Sequence, residues 1–254
     1  MIRRGGAGRP ALSGAPGCIE ANLAMPLSVE FRSFISRSAW SANLTEEQLA
    51  RVQKDAFERW YSADAVVCHQ GTPPDHWLGV IDGFVKVDTV SKEGRSTTLA
   101  GVPAGSWFGE GATLKDERRP YSVVALRDSK VGFIPRNTFE WLIDNSHSFS
   151  RFVIDKLNAR CGYYVGLVGN LRLHKASARV AFCLAELFNP QLFAAPDPTL
   201  DLSQEEIGRL SGLSRQNTNR ALRELADAGL LKIEYGSVRI LDLTGLREFC
   251  RPED

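Results

Sequence analysis

The stretch that most constrains the chain runs from Leu202 to Leu231, LSQEEIGRLSGLSRQNTNRALRELADAGLL. Ser203, with Glu206 three residues on, forms the capping-box pattern that opens a helix. Gly212 breaks the periodicity, Leu213 falls inside a corner, and Ser214 offers the N-cap of a second helix reaching about Ala228. At about 100° per residue, Arg215, Gln216, Asn219, Arg220 and Arg223 share an arc of about 140°, while Thr218, Ala221, Leu222 and Leu225 lie opposite. The second helix is thus expected to have an anchored face and a free one. After Gly229, LLKIEYGSVRILDL alternates as two short strands around Tyr235 and Gly236. Helix, turn, helix and hairpin together predict a winged helix-turn-helix.

A free face of Arg, Gln and Asn carries the chemistry needed in a DNA major groove: Arg donates a fork to guanine O6 and N7, and Gln or Asn both donates to and accepts from adenine. An amphipathic hairpin with a solvated face is the alternative, and the strand pair that follows counts against it. The formal net charge of the 254-residue chain is only +1, so DNA affinity has to come from a local cluster and from dimerisation rather than from a surface-wide basic field. The five cysteines, Cys18, Cys68, Cys161, Cys183 and Cys250, are scattered, and no run approaches 18 apolar residues. Both observations make a reduced cytoplasmic compartment, without membrane insertion, the expectation.

The first stretch, MIRRGGAGRPALSGAPGCIEANLAMP, is rich in Gly, Pro and Ala and lacks the apolar core of a signal peptide; it is expected to be a disordered leader or residues ahead of the true start. Leu27 to Ser41 predicts a short covering helix with Phe31, Phe34 and Ile35 on one side, and TEEQLARVQKDAFERW a helix capped by Thr45. From there to about Pro135, short apolar runs punctuated by Gly71, Gly83, Gly94, Gly105 and Gly109 predict a small antiparallel barrel or jelly roll. In the following long helix, Val153, Leu157, Cys161, Tyr164, Val168 and Leu171 recur at near-heptad steps, which predicts a partner helix and a homodimer; packing of the stripe on its own barrel is the alternative. Gly162, Gly166 and Gly169 lower intrinsic helicity but permit close backbone approach. ASARVAFCLAELFNPQLF predicts a further helix, and the FNPQLFAAPDP insertion is read as ordinary loop.

EEIGRLSGLSRQNTNRALRELADAGLL resembles the DNA-binding domain of the bacterial regulators that include the cyclic AMP receptor protein and the regulator of fumarate and nitrate reduction, the Crp/Fnr family. There a Ser-Arg-Glu-x-x-x-Arg segment opens the recognition helix. The resemblance places Ser214, Arg215 and Arg220 on that pattern, with Gln216 in place of Glu. Glu accepts from a cytosine amino group whereas Gln prefers adenine, so the half-site preference is expected to change. The barrel segment is similar to the family's cyclic-nucleotide-binding-like sensor in Gly71, Gly83, GSWFGE and SVVAL. By that resemblance Gly109 and Glu110 stand where the ribose is met, Arg119 where the cyclic phosphate is clamped, and Tyr164 and Val165 where two hydroxyl residues meet adenine.

The departures argue against cyclic AMP. Pro120 replaces the hydroxyl residue after the clamp and offers neither hydroxyl nor N–H, and Tyr164 and Val165 replace the pair on the helix. The close N-terminal cysteine cluster of the iron–sulfur members is absent. His69 and His76, on neighbouring strands, are placed to face each other around a metal or haem, but Pro73 and Pro74 between them suggest a turn, and no metal site is expected; His147 and His174 flank the long helix without a ligand pattern. A cupin-like enzymatic barrel using Glu110, Arg119 and His76 is the runner-up, and a DNA-binding structural protein without a ligand is a third class. The expected fold is α+β. Residues 1–43 form a leader and covering helix, 44–145 a cyclic-nucleotide-binding-like β-barrel (jelly roll), 146–174 a dimerisation helix and 175–254 a winged helix-turn-helix. The expected partners are double-stranded DNA, a second copy of the chain, RNA polymerase and an unidentified small-molecule effector.

Overall fold

The structure, a computed structural model, describes residues 26–94, 96–173, 175–194 and 197–250. The leader expectation for the first 25 residues and the placement of His174 lie outside them. Two short helices come first: α1 (Val29–Arg37), capped by Ser28, and α2 (Glu46–Asp55), where Thr45 and Gln48 complete a reciprocal capping box. Eight strands follow: β1 (Phe57–Tyr61), β2 (Val66–Cys68), β3 (His76–Asp82), β4 (Phe84–Val90), β5 (Ser96–Pro103), β6 (Ser106–Phe108), then, after helix α3 (Glu110–Lys115), β7 (Ser122–Ala125) and β8 (Ser129–Pro135).

These strands make two antiparallel four-stranded sheets, ordered β1-β8-β3-β6 and β2-β7-β4-β5. Of the expected barrel or jelly roll, the structure shows two separate sheets and not a closed barrel. Among the described residues, no pairing joins an edge strand of one sheet to the other.

Helix α1 seals the outer side of the first sheet. Two strand glycines make room for it: a Cβ on Gly132 would lie 2.4 Å from the Phe31 ring, and one on Gly79 would lie 2.7 Å from Phe34. Phe34 stacks on Trp107 at 4.9 Å between centroids, and Trp40 meets Trp77, Trp107 and Phe149 edge-on. Each such pair is worth about 0.5–1.5 kcal/mol beyond area burial. The same cluster takes in Phe139 of α4 (Arg136–Asn145) and Phe149 and Val153 of the long helix α5 (His147–Leu173). The start of α5 is thereby fixed to the sheets.

The C-terminal part consists of α6 (Ala176–Glu186), β9 (Thr199–Leu200), α7 (Gln204–Ser211), α8 (Arg215–Asp227), the hairpin β10 (Leu231–Glu234) and β11 (Ser237–Ile240), and α9 (Leu243–Phe249). β11 pairs with both β10 and β9. Ser203 and Glu206 close the capping box at α7, and Gly212 ends that helix in the left-handed region at φ +64°. Arg179 of α6 donates to the carbonyls of Ser211 and Gly212 at 2.7 and 3.0 Å, satisfying that helix end. Thr218, Ala221, Leu222 and Leu225 of α8 are buried, the set expected to be anchored.

The corner depends on Gly208, where a Cβ would stand 2.8 Å from the Thr218 hydroxyl and 3.2 Å from the Leu213 carbonyl. Gly208→Val should therefore spread the two helices and cost about 1–3 kcal/mol, read as a lower urea midpoint. An unchanged midpoint would show that the corner relaxes without cost.

Candidate nucleic-acid interface and sensor cavity

Ser214 opens α8 by accepting from the Asn217 N–H at 3.4 Å, and its own carbonyl accepts the Thr218 hydroxyl at 3.0 Å. The helix start is thus tied to the corner. Arg215, Gln216, Arg220 and Arg223 are exposed, and Arg220 reaches back to the Asn217 amide oxygen at 3.4 Å. Asn219 differs from the rest of its expected group: it is half-buried and its Oδ1 is enclosed without a partner. Tyr235, at the tip of the hairpin, is fully exposed and borders one groove with Arg215 and Ser203. The strand alternation marks Tyr235 only as a turn residue.

The second feature is a cavity of about 260 Å³ between the β4–β5 sheet, α3 and α5. Val87, Val102, Phe108, Tyr121 and Leu157 supply apolar wall, Pro120 lies at the lining, and Glu110 supplies a carboxylate. Gly109 precedes α3 at φ +90°, and this left-handed turn aims Glu110 inward, where it is 1 % exposed. A carboxylate so deep needs a cation, and Arg160 of α5 provides it through an Nε–Oε1 contact. Burial is the largest influence and would lower the Arg160 pKa, but the charge and hydrogen bond of Glu110, with Tyr164 and Tyr121, together outweigh it and hold the guanidinium above its ordinary value. Glu110 Oε2 has no partner and remains available. Arg160 was missed in the sequence because its partner lies 50 residues away, in another element.

Arg119 stands elsewhere than expected. It is buried but outside the cavity lining, donating from Nη2 to the His76 carbonyl at 2.7 Å, and its Nη1 is unpartnered. His76 packs its ring edge-on against Phe57 and Phe133, and burial pulls its pKa down to about 4. Glu110, Arg119 and His76 therefore do not converge as the cupin-like reading requires. Among the described residues, no group of three or more His, Cys, Asp or Glu side chains could hold a metal ion.

Helix α5 divides the expected dimer stripe, burying its first residues and exposing the rest. Val153 is buried in the aromatic cluster, Leu157 and Tyr164 line the cavity, and Leu171 points toward Gly212 of the helix-turn-helix corner. A second outward stripe is Ile154, Asn158, Cys161, Val165 and Val168, with Ile154 57 % and Val165 69 % exposed. Of the expected seam, Cys161 and Val168 belong to it as well, and Tyr164 and Leu171 are themselves exposed. Gly166 faces the chain's own α6, where a Cβ would be 3.0 Å from the Phe182 ring, while Gly162 and Gly169 have open space.

If the Glu110–Arg160 pair holds the cavity as described, Glu110→Ala leaves a buried guanidinium unpaired and should cost about 3–5 kcal/mol. Adding Arg160→Met should restore most of that loss in urea unfolding. A double variant as unstable as Glu110→Ala alone would mean that the pair is not coupled.

Residues 58–146 match a family profile described as a cyclic nucleotide-binding domain, and residues 178–249 one described as a Crp-like helix-turn-helix domain. The chain is 28% identical over 195 residues to the transcriptional regulator SdrP of Thermus thermophilus, covering 75% of this chain and 92% of that one. It is also 28% identical over 185 residues to a CRP-like cAMP-activated global transcriptional regulator of Mycobacterium tuberculosis, covering 72% of this chain and 83% of the relative. Among solved structures, FixK2 of Bradyrhizobium japonicum superposes with a TM-score of 0.66 at 20% identity, covering 78% of this chain and 99% of FixK2, a likeness of fold.

Proposed function

The chain belongs to the Crp/Fnr family of transcription regulators and is a sequence-specific DNA-binding regulator rather than an enzyme, and from that premise we propose that it works as a homodimer on an inverted-repeat operator. The observation that carries the reading is α8, buried along Thr218, Ala221, Leu222 and Leu225 and free along Arg215, Gln216, Arg220 and Arg223. In this reading Arg215, Gln216 and Arg220 meet base edges, Ser214 and Arg223 position the helix on the backbone, and Asn219 supports the helix flank. Tyr235 and the hairpin tip meet the duplex beside Arg215. Two recognition helices in a symmetric dimer stand about 34 Å apart, one duplex turn.

The dimer seam proposed is the outward stripe of α5 that starts at Ile154. Ile154, Asn158, Cys161, Val165 and Val168 fall at steps of four, three, four and three, inside an arc of about 80°. An apolar stripe of this spacing is stable when a second copy covers it, and Asn158 within it sets register by pairing with its counterpart. In Ile154→Glu with Val165→Glu, sedimentation should show a monomer; a dimer of unchanged mass would place the interface elsewhere.

The domain between the leader and α5 serves in this proposal as the sensor, and the cavity at Glu110 and Arg160 as the site of a small-molecule effector. Gly109 and Glu110 shape it, Tyr164 borders it, and Arg119 acts from beneath. A cyclic phosphate suits it poorly, because Pro120 brings no donor to the wall and Arg119 stands outside the lining. RNA polymerase contact follows from the regulatory role and is proposed with it.

Binding-site selection from random DNA at fixed ionic strength tests the DNA-reading assignment. Arg220→Ala should cost about 1–3 kcal/mol per subunit on the preferred site and much less on random DNA. Gln216→Glu should move one base preference in each half-site from adenine toward cytosine on the strand read. If both variants select the wild-type palindrome and Arg220→Ala weakens all DNA alike, these residues only neutralise phosphate.

A further inference from the structure

The FNPQLF segment, expected to be ordinary loop, is folded onto the other domain. Asn189 organises it: its carbonyl accepts the N–H groups of Leu192 and Phe193 at 3.0 and 2.9 Å, and its side-chain oxygen accepts that of Gln191 at 3.1 Å. Its amide nitrogen donates to Glu186 at the end of α6 at 2.9 Å. The turn is thus fixed to the helix that begins the DNA-binding domain. It delivers Leu192, 1 % exposed, and Phe193, 6 % exposed, into the apolar cluster formed by Val102, Phe108 and Ala159 of the sensor side. Ala194 closes on the β5–β6 turn so tightly that a Cβ on Gly105 would lie 2.7 Å from its own.

The third attachment is polar. Lys156 of α5 is buried and donates from Nζ to the Leu192 carbonyl at 2.6 Å. Burial, reinforced by the Arg160 charge, pulls its pKa down to about 8. Lys156 and Arg160 are one helical turn apart, and this turn has two audiences. Leu157 and Arg160 line the cavity, whereas Lys156 and Ala159 meet the segment carrying Leu192 and Phe193. Val102 and Phe108 are likewise both cavity wall and members of the cluster that buries Leu192 and Phe193.

We propose that Asn189–Ala194 is a strap holding the DNA-binding domain on the sensor, and that the state of the Glu110–Arg160 pair is passed to it through the 156–160 turn of α5. The identification of the cavity occupant as the natural trigger rests on the effector reading above; the mechanical coupling does not. Anything that takes Glu110 frees Arg160, shifts the turn that carries Lys156, and loosens the hold on the Leu192 carbonyl.

Amide hydrogen exchange on the full chain tests the coupling without DNA or ligand. Glu110→Gln touches no strap residue, yet exchange at the Leu192 and Phe193 amides should rise about tenfold or more while the amides of α8 and the β10–β11 hairpin stay unchanged. Unchanged strap amides would overturn the coupling, as would an equal acceleration in α8, which would report general loosening. The hold on the DNA-binding domain is tested with Lys156→Met, which keeps the aliphatic packing, and Phe193→Ser. Either should change affinity for the selected operator by about fivefold or more with α8 amides unchanged; unaltered affinity in both overturns that half of the proposal. Should no operator be selected at all, the DNA-reading assignment fails, and the exchange comparison still decides the strap.

Discussion

A carboxylate that is 1 % exposed is tolerated only when a cation reaches it, and the partner of Glu110 comes from the long helix rather than from its own sheets. That requirement contributes to the depth and rotation of α5. With Arg160 facing Glu110, Phe149 and Val153 fall on the aromatic cluster around Trp40, Trp77 and Trp107, and Leu157 falls on the cavity. The same rotation leaves Ile154 and Val165 in solvent. The ion pair and the aromatic cluster together set which side of the helix is core, which is cavity wall, and which is exposed.

How far the sequence announced this follows from the range of the forces involved. Capping is local, so Thr45 with Gln48 and Ser203 with Glu206 were readable and form the bonds expected of them. The buried face of α8 was readable because polar and apolar residues segregate cleanly around it. Helix α5 lacks that segregation: Phe149, Phe152, Val153, Ile154 and Leu157 place apolar groups on most sides of its first turns. Periodicity therefore offered several stripes, and the one starting at Val153 shares Cys161 and Val168 with the one starting at Ile154. Only tertiary contacts, those of the aromatic cluster and of Glu110, set how the helix is turned.

Glycine shows the same limit in the sheets. Gly71, Gly83, Gly94 and Gly105 lie in the left-handed region, as turn positions should. Gly79 and Gly132 lie within strands and are small for another reason, to seat Phe34 and Phe31 of the covering helix. Their apolar neighbours, WLGVI and KVGFI, mark them as strand residues, but not which side chains they admit, because those come from far away in sequence. Sheet closure is equally non-local, and evenly spaced strands were compatible with a closed barrel as well as with the two separate sheets. The strap belongs in the same class: Pro190 and the polar residues around it read as loop, and only the sensor surface explains why Leu192 and Phe193 stand next to each other there.

The helix that results has no idle side between residues 153 and 168. Core at Val153, cavity at Leu157 and Arg160, strap at Lys156 and Ala159, and solvent at Ile154, Cys161 and Val165 are all carried on one rigid rod whose residues are offset by about 100° each. A rotation or slide that improves one contact set changes the others, because close-packed interfaces shift between discrete arrangements rather than deforming gradually. A net charge of +1 gives the molecule little general attraction for DNA, so its binding has to depend on how two copies of α8 are presented. The position of α8 is set in turn by α6, Arg179 and the strap, all of which adjoin the end or the flank of α5. In such an arrangement the groups from Glu110 through Arg160, Lys156 and the strap to α6 and α8 are packed or hydrogen-bonded to one another in sequence, which is the physical basis of the coupling proposed above.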